Sequence, residues 1–177
     1  MVEEWELSAN PATKRIMMRL STREIARAIT GKDAAQRVFV HGAQGVGKSA
    51  ALATVVACAR TSGAIVLYLP NGDDLCKNGF YLEPNVKQPG LFDLPVLTKQ
   101  VCADLLASHQ DALNDIAVPK QLLEGLCTRK QLEDLIGDKD KVAAADLLKH
   151  GSSSVNHASV AYTAVVESLM DQNQVDF

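Results

Sequence analysis

The amino-acid sequence predicts an α/β fold in which a parallel sheet lies between layers of helices. Two apolar runs, residues 37–41 and 64–69, have the β-branched and aromatic residues typical of buried strands. Residues 48–60, between these runs, are mostly small or aliphatic and predict a helix pressed against the sheet. Strand, glycine-rich turn, helix and strand in this order indicate a three-layer fold of the P-loop NTPase type.

The segment before the first strand predicts an arm followed by a helix. Ser21 and Glu24 have capping-box spacing, and apolar residues recur at helical intervals until Gly31. We therefore divide the chain into residues 1–36, the arm and helix, and residues 37–177, the nucleotide-binding domain. The basic residues here are interpreted as a solvated helix face. They are Lys14, Arg15, Arg19, Arg23 and Arg27.

The second half of the chain predicts a long loop and then helices. Residues 75–95 are rich in Gly, Pro and Asn and are interpreted as an ordered, functional or interactive loop. Helices are predicted at 96–106, 122–136, 141–148 and 155–170, with a linker at 151–154. The last helix is expected to turn four residues toward the core: Val160, Ala164, Val165 and Leu169.

The composition is that of an ordinary globular protein and limits the classes of partner. The 177 residues are 47% hydrophobic and 22% charged, with a formal net charge of −3. That charge argues against a protein that coats nucleic acid over its whole surface. The four cysteines are widely spaced and are interpreted as reduced core thiols without a zinc site. No apolar run suits a membrane span, and the acidic first residues do not resemble a targeting peptide.

Residues 42–49 predict a phosphate-binding loop, because they satisfy the pattern G-x-x-x-x-G-K-[ST] between a predicted strand and a predicted helix. Glycines let the backbone approach a phosphate chain closely and aim successive N–H groups at it. Lys48 is expected to reach the β- and γ-phosphates, and the Ser49 hydroxyl is expected to hold Mg²⁺. The predicted cradle consists of Gly42, Ala43, Gln44, Gly45, Val46, Gly47, Lys48 and Ser49.

Hydrolysis is a separate question, because it also requires an acidic residue on a second strand and a group that positions water. Asp73 and Asp74 are interpreted as turn residues, and no catalytic residue is assigned, so the sequence indicates binding with at most weak turnover. An autonomous P-loop ATPase of the AAA or signalling type stays open as the alternative. A small-molecule kinase is disfavoured, because residues 75–95 contain no arginine to serve in a lid.

Several stretches together resemble the death-associated protein 3 family. They are Phe39-Val40-His41 leading into GAQGVGKSAAL, then VLYLPNGDDL, KNGFYLEPN at 77–85, and GLFDLPVL at 90–97. The NGFY and FDLP stretches make the resemblance specific, and it extends over about residues 5–177. In that family the next segment carries a strand ending in Asp, so the resemblance implies that this chain is the N-terminal part, ending before the second nucleotide-motif strand.

The resemblance implies a structural constituent of the mitochondrial small ribosomal subunit that binds GTP or GDP with Mg²⁺. It adds the backbone N–H of Ala50 to the phosphate contacts. The implied partners are other small-subunit ribosomal proteins, and local contact with ribosomal RNA stays open. No membrane and no small-molecule substrate besides the nucleotide are expected. Phe80, Tyr81 and Phe92 are expected to pack against the domain or against a ribosomal neighbour.

Overall fold

The computed structural model describes residues 19–30, 38–69, 71–73, 81–85 and 88–173. The chain divides into two compact units, Met1–Pro70 and Asn71–Phe177. The boundary expected between residues 36 and 37 stays a prediction. Each unit is described by itself below.

The described residues of the first unit form two helices that pack against each other, α1 (Leu20–Thr30) and α2 (Lys48–Thr61). Helix α2 confirms the helix predicted at 48–60. Its buried side chains are small, Ala51, Ala53 and Val55, which lets a neighbouring helix approach closely. Helix α1 begins one residue before Ser21, so the expectation that Ser21 caps this helix is wrong.

The predicted parallel sheet is contradicted by the structure. Among the described residues, neither 38–41 nor 64–69 is paired as a strand. Phe39 is 87% exposed, Leu67 41% and Leu69 42%, although both runs were expected to be buried. The physical reason is that an apolar, β-branched run indicates only a preference for burial. A strand also requires a neighbouring strand to form hydrogen bonds with, and the described residues provide none for these two runs. The three-layer P-loop architecture is therefore replaced by a mostly helical chain.

The second unit, Asn71–Phe177, contains two small antiparallel sheets and five helices among its described residues. The first sheet pairs β1 (Glu83–Pro84) with β2 (Phe92–Asp93), and the second pairs β3 with β4. The remaining elements, in chain order, are α3 (Pro95–Asn114), β3 (Ala117–Pro119), α4 (Lys120–Leu126), α5 (Arg129–Ile136), β4 (Lys141–Ala143), α6 (Ala144–Ser153) and α7 (Val155–Asn173).

The core of this unit lies where α3, α6 and α7 pack against one another. Leu113, Leu147 and Val165, one from each helix, are completely buried. Helix α3 confirms the helix predicted at 96–106 and continues for two further turns, with a departure from helical geometry at His109. Helix α7 confirms the helix predicted at 155–170. Of its four predicted core residues, Ala164 and Val165 are fully buried, and the other two are partly exposed.

Two predicted helices are divided differently in the structure. The stretch 122–136 forms α4 and α5, separated at Cys127 and Thr128. Thr128 begins α5 with a capping box, in which its side chain accepts a hydrogen bond from the Gln131 N–H and the Gln131 side chain accepts one from the Thr128 N–H. The stretch 141–148 begins as strand β4 and becomes helical only at Ala144.

The predicted linker at 151–154 is wrong, because helix α6 continues through Gly151 to Ser153. Gly151 is buried. A methyl group placed on it would lie 3.0 Å from the Ala161 Cβ and 3.1 Å from the Cys102 Sγ. The glycine therefore allows close packing of three helices at this point, and its small size matters more here than its flexibility.

Candidate functional site

The glycine-rich loop forms a tight turn that leads into helix α2. Gly42, Gly45 and Gly47 have φ angles of 148°, 84° and 94°, values that L side chains rarely adopt. Gly47 is the N-cap of α2, and its carbonyl oxygen accepts the first helical hydrogen bond from the Ala51 N–H at 2.9 Å. The sequence pattern at these positions is therefore matched by a backbone that requires glycine.

Lys48 folds back over this loop. Its Nζ donates hydrogen bonds of 2.8 Å to the carbonyl oxygens of both Gly42 and Ala43. The loop thus curves around an ammonium group, and the positive charge lies at the N-terminal end of α2, where the helix dipole is also positive. Two positive features at one place favour an anion as the ligand.

The remaining predicted cradle residues lie on the turn or in the first turn of α2. Gln44 and Gly45 form the turn, Val46 follows it, and Ser49 and Ala50 are exposed at the start of the helix. The structure therefore brings Lys48 together with Gly42 and Ala43 and leaves the first turn of α2 accessible. Magnesium coordination by Ser49 stays a prediction.

Arg19 is a loop contact that the sequence interpretation missed. Its Nη1 donates a 3.0 Å hydrogen bond to the Val46 carbonyl oxygen, and a methyl group placed on Gly47 would lie 3.6 Å from the same nitrogen. The sequence assigned Arg19 to a solvated helix face. The basic cluster was visible, but nothing in a local pattern could connect residue 19 to a loop 27 positions away.

The second unit carries an exposed apolar hairpin. Tyr81, Leu82, Leu91 and Phe92 are 51%, 57%, 56% and 62% exposed. Glu83 accepts a hydrogen bond from the Tyr81 hydroxyl, which together with the negative charge of Glu83 raises the pKa of that phenol. The two predicted loop aromatics that are described, Tyr81 and Phe92, therefore project largely into solvent. Phe80 lies outside the described residues.

A groove of about 500 Å³ lies beside this hairpin. Among the described residues, its lining includes Glu83 and Asp93 but no Lys, Arg or His. The Asn85 amide donates to both Asp93 carboxylate oxygens, at 3.1 and 3.3 Å. The Ser159 hydroxyl, also in the lining, is buried without a hydrogen-bond partner among the described residues. The groove is therefore acidic and leaves one polar group unsatisfied.

Within the described parts of the chain, no group of three or more His, Cys, Asp or Glu residues could hold a metal ion. None of the helices in those parts is both long and apolar enough to cross a membrane. Cys102 and Cys127 are buried thiols, as predicted, whereas Cys58 is exposed, so its predicted position in the core is wrong. Cys76 lies outside the described residues. Burial raises the pKa of the Cys102 thiol to about 12.

Comparison with protein families gives a match that covers most of the chain. The family described as mitochondrial ribosomal death-associated protein 3 matches residues 16–176. The chain belongs to this family. Searches of curated proteins and of solved structures return no match.

Membership of the mitochondrial ribosomal death-associated protein 3 family confirms two predictions made from the sequence. The protein is mitochondrial, and it is a component of the small subunit of the mitochondrial ribosome. Its partners therefore include other ribosomal proteins.

Proposed function

We propose that this member of the mitochondrial ribosomal death-associated protein 3 family binds a guanine nucleotide with Mg²⁺ through residues 42–50, as a structural ligand within the small ribosomal subunit. The observation that carries the proposal is the position of Lys48, whose Nζ lies 2.8 Å from two carbonyl oxygens of the loop. A lysine that was merely solvated would have no reason to be enclosed by a turn with three glycines at positive φ.

The arrangement suits a phosphate chain for a reason of charge. On binding, the Lys48 ammonium exchanges two neutral carbonyl acceptors for negatively charged phosphate oxygens, which attract the ammonium charge more strongly at the same distance. The amides at the start of α2 have no intrahelical partners and supply further donors. The Ser49 hydroxyl, at the exposed first turn, is the proposed ligand of Mg²⁺. The choice of guanine over adenine rests on the family resemblance.

The proposed role of the nucleotide is stability, since no catalytic group is assigned. A ligand present at 100 times its dissociation constant stabilises a fold by about 2.7 kcal/mol. That is a sizeable part of the roughly 5–15 kcal/mol typical of a domain. This contribution is a larger share of the total stability in a unit whose described residues bury few large side chains.

Lys48→Ala tests this proposal in the full-length protein. We expect at least a hundredfold weaker binding of GDP by calorimetry, and loss of the melting-temperature increase that GDP and Mg²⁺ produce in the wild type. Mass spectrometry of the purified wild-type protein should detect a co-purifying guanine nucleotide. Lys99→Ala, a lysine of helix α3 in the second unit, is the matched control. A wild-type protein that neither carries nor binds nucleotide would contradict the proposal.

We further propose that the exposed hairpin and the groove beside it bind a neighbouring ribosomal protein. The described residues of the lining include two carboxylates and no basic group, which disfavours phosphate groups of ribosomal RNA as their partner. A protein segment could instead cover Leu82 and Phe92 and supply a partner for the Ser159 hydroxyl.

Phe92→Ser tests the docking proposal. Burial of an aromatic side chain at the centre of an interface contributes about 2 kcal/mol or more, so we expect a reduction of incorporation into small subunits by more than tenfold. Incorporation is measured by sedimentation of mitochondrial extracts. Val96→Ser, at a residue that is 56% exposed on α3 outside the groove lining, is the control. Equal incorporation of Phe92→Ser and wild type would overturn this assignment.

A further inference from the structure

Arg19 lies immediately before helix α1, is exposed to solvent, and contacts the glycine-rich loop from outside helix α2. Its position relative to the loop follows from the packing of α1 on α2, which buries Thr22 to 5% exposure one turn along from Arg19. The hydrogen bond to Val46 uses one of the five N–H donors of the guanidinium group. Arg19 is thus a second cation beside the candidate phosphate site.

The direction of this hydrogen bond has a consequence for the next amide. A trans peptide group is planar, and its C=O and N–H point in opposite directions. Since Arg19 binds the Val46 carbonyl oxygen at 3.0 Å, the N–H of Gly47 in the same peptide group points away from Arg19. The guanidinium also lies against Gly47, with Nη1 3.6 Å from where a Cβ would be. Together these contacts fix the orientation of one peptide plane.

The backbone alone does not determine the orientation of this peptide plane. Gly47 has φ of 94°, and a glycine has many other accessible conformations that a loop without ligand could adopt. Holding the amide in one orientation before the ligand arrives reduces the entropy lost on binding. The Arg19 hydrogen bond also polarises the peptide group, which makes the Gly47 N–H a better donor.

We propose that Arg19 is a positioning residue of the phosphate cradle: it clamps the Val46–Gly47 peptide group so that the Gly47 N–H faces the bound phosphate. This inference rests on the proposed nucleotide function. Arg19 acts through the backbone and does not itself contact the ligand. Its effect is therefore the same for any nucleotide whose phosphates reach the Gly47 amide.

Calorimetric titration of the full-length protein with GDP and with GTP, each with Mg²⁺, tests the clamp. Loss of one hydrogen bond predicts that Arg19→Ala weakens binding about threefold to tenfold, equally for both nucleotides. Arg19→Lys keeps a charge and a donor and should recover part of the affinity. Arg23→Ala, which removes the same side chain one turn along the same helix, is the matched control and should bind as the wild type does.

Two results would overturn the clamp. One is unchanged affinity in Arg19→Ala when Lys48→Ala has lost binding. The other is a loss confined to GTP, which would mean that Arg19 contacts the terminal phosphate directly. The NMR order parameter of the Gly47 amide in the nucleotide-free protein separates this inference from the proposed function. It should fall from about 0.85 in Arg23→Ala to below about 0.6 in Arg19→Ala even if no nucleotide binds, and equal order parameters would refute the clamp by themselves.

Discussion

The two units of the chain differ in the size of the side chains that they bury. Asn71–Phe177 encloses large apolar groups completely. Those groups include Leu113, Leu123, Leu147, Leu148, Val118 and Val165. Among the described residues of Met1–Pro70, the buried side chains are Thr22, Ala51, Ala53 and Val55. Stabilisation scales with the apolar area removed from water. We therefore expect Asn71–Phe177, the helical unit, to be stable by itself, and Met1–Pro70, which contains the candidate cradle, to depend on what binds to it.

The largest expected effect comes from a cavity in the helical core. Leu147→Ala removes a completely buried side chain and should cost about 3 kcal/mol of unfolding free energy. Leu67→Ala, at a residue 41% exposed in the first unit, should cost less than about 1 kcal/mol. Hydrogen-exchange mass spectrometry in urea, with peptides assigned to each unit, measures both. Similar losses at the two positions would remove the contrast between the units.

A smaller effect is expected where three helices meet at Gly151. Gly151→Ala places a methyl group 3.0 Å from the Ala161 Cβ, and such overpacking typically costs about 1–3 kcal/mol. Gly125→Ala is the matched control, because a methyl group there meets nothing within 4 Å and alanine is the better helix former by about 1 kcal/mol. Urea unfolding should therefore move in opposite directions for the two variants. A stabilised Gly151→Ala would mean that this core is loosely packed.

The smallest effect is a pH dependence confined to the helical unit. Burial raises the pKa of Cys102 from its ordinary value of 9.0 to about 12, so the folded state holds this proton more tightly than the unfolded state does. The contribution of Cys102 is therefore fully present below pH 9 and is lost as pH rises toward 12. The pKa of Tyr162 is raised as well, first by burial and then by the charge of the Cys102 thiolate.

The test compares variants, since lysines and other tyrosines also titrate in alkaline solution. Cys102→Ala should lose stability less steeply between pH 9 and pH 11 than the wild type in urea unfolding. Cys58→Ala, which changes an exposed thiol, should keep the wild-type slope. Identical slopes for all three proteins would show that water reaches Cys102. The core of Asn71–Phe177 would then be less closed than the burial of its side chains indicates.

Local patterns predicted the helices well and the sheets poorly. Helix α2 and helix α7 each have a clear beginning and a long run of small or aliphatic residues, and both were found within three residues of their true ends. Strands β3 and β4 have three residues each, too few for an alternating pattern to be recognised. Their pairing joins segments more than twenty positions apart. Such non-local hydrogen bonding cannot be predicted from the residues of either segment alone.

The candidate site was predicted in part, for the same physical reason. The residues of the glycine-rich loop are consecutive, so their spacing alone indicated the turn and the position of Lys48. Arg19 reaches the loop from the residue before helix α1, so its role depends on packing that the sequence does not express locally. Gly151 was misinterpreted because a glycine beside serines resembles a linker, and only the structure reveals the side chains that face it.

The side-chain amide of Gln131 uses both of its ends. Its oxygen accepts hydrogen bonds from the N–H and the hydroxyl of Thr128, while its nitrogen donates to the carbonyl oxygen of Asn156 at 2.9 Å. A glutamate of the same shape could keep the first set of contacts but would face the Asn156 oxygen with a second acceptor. A carboxamide is therefore the group that serves both partners: exchanging its NH₂ group for an oxygen would remove the hydrogen bond between the start of α5 and the first turn of α7.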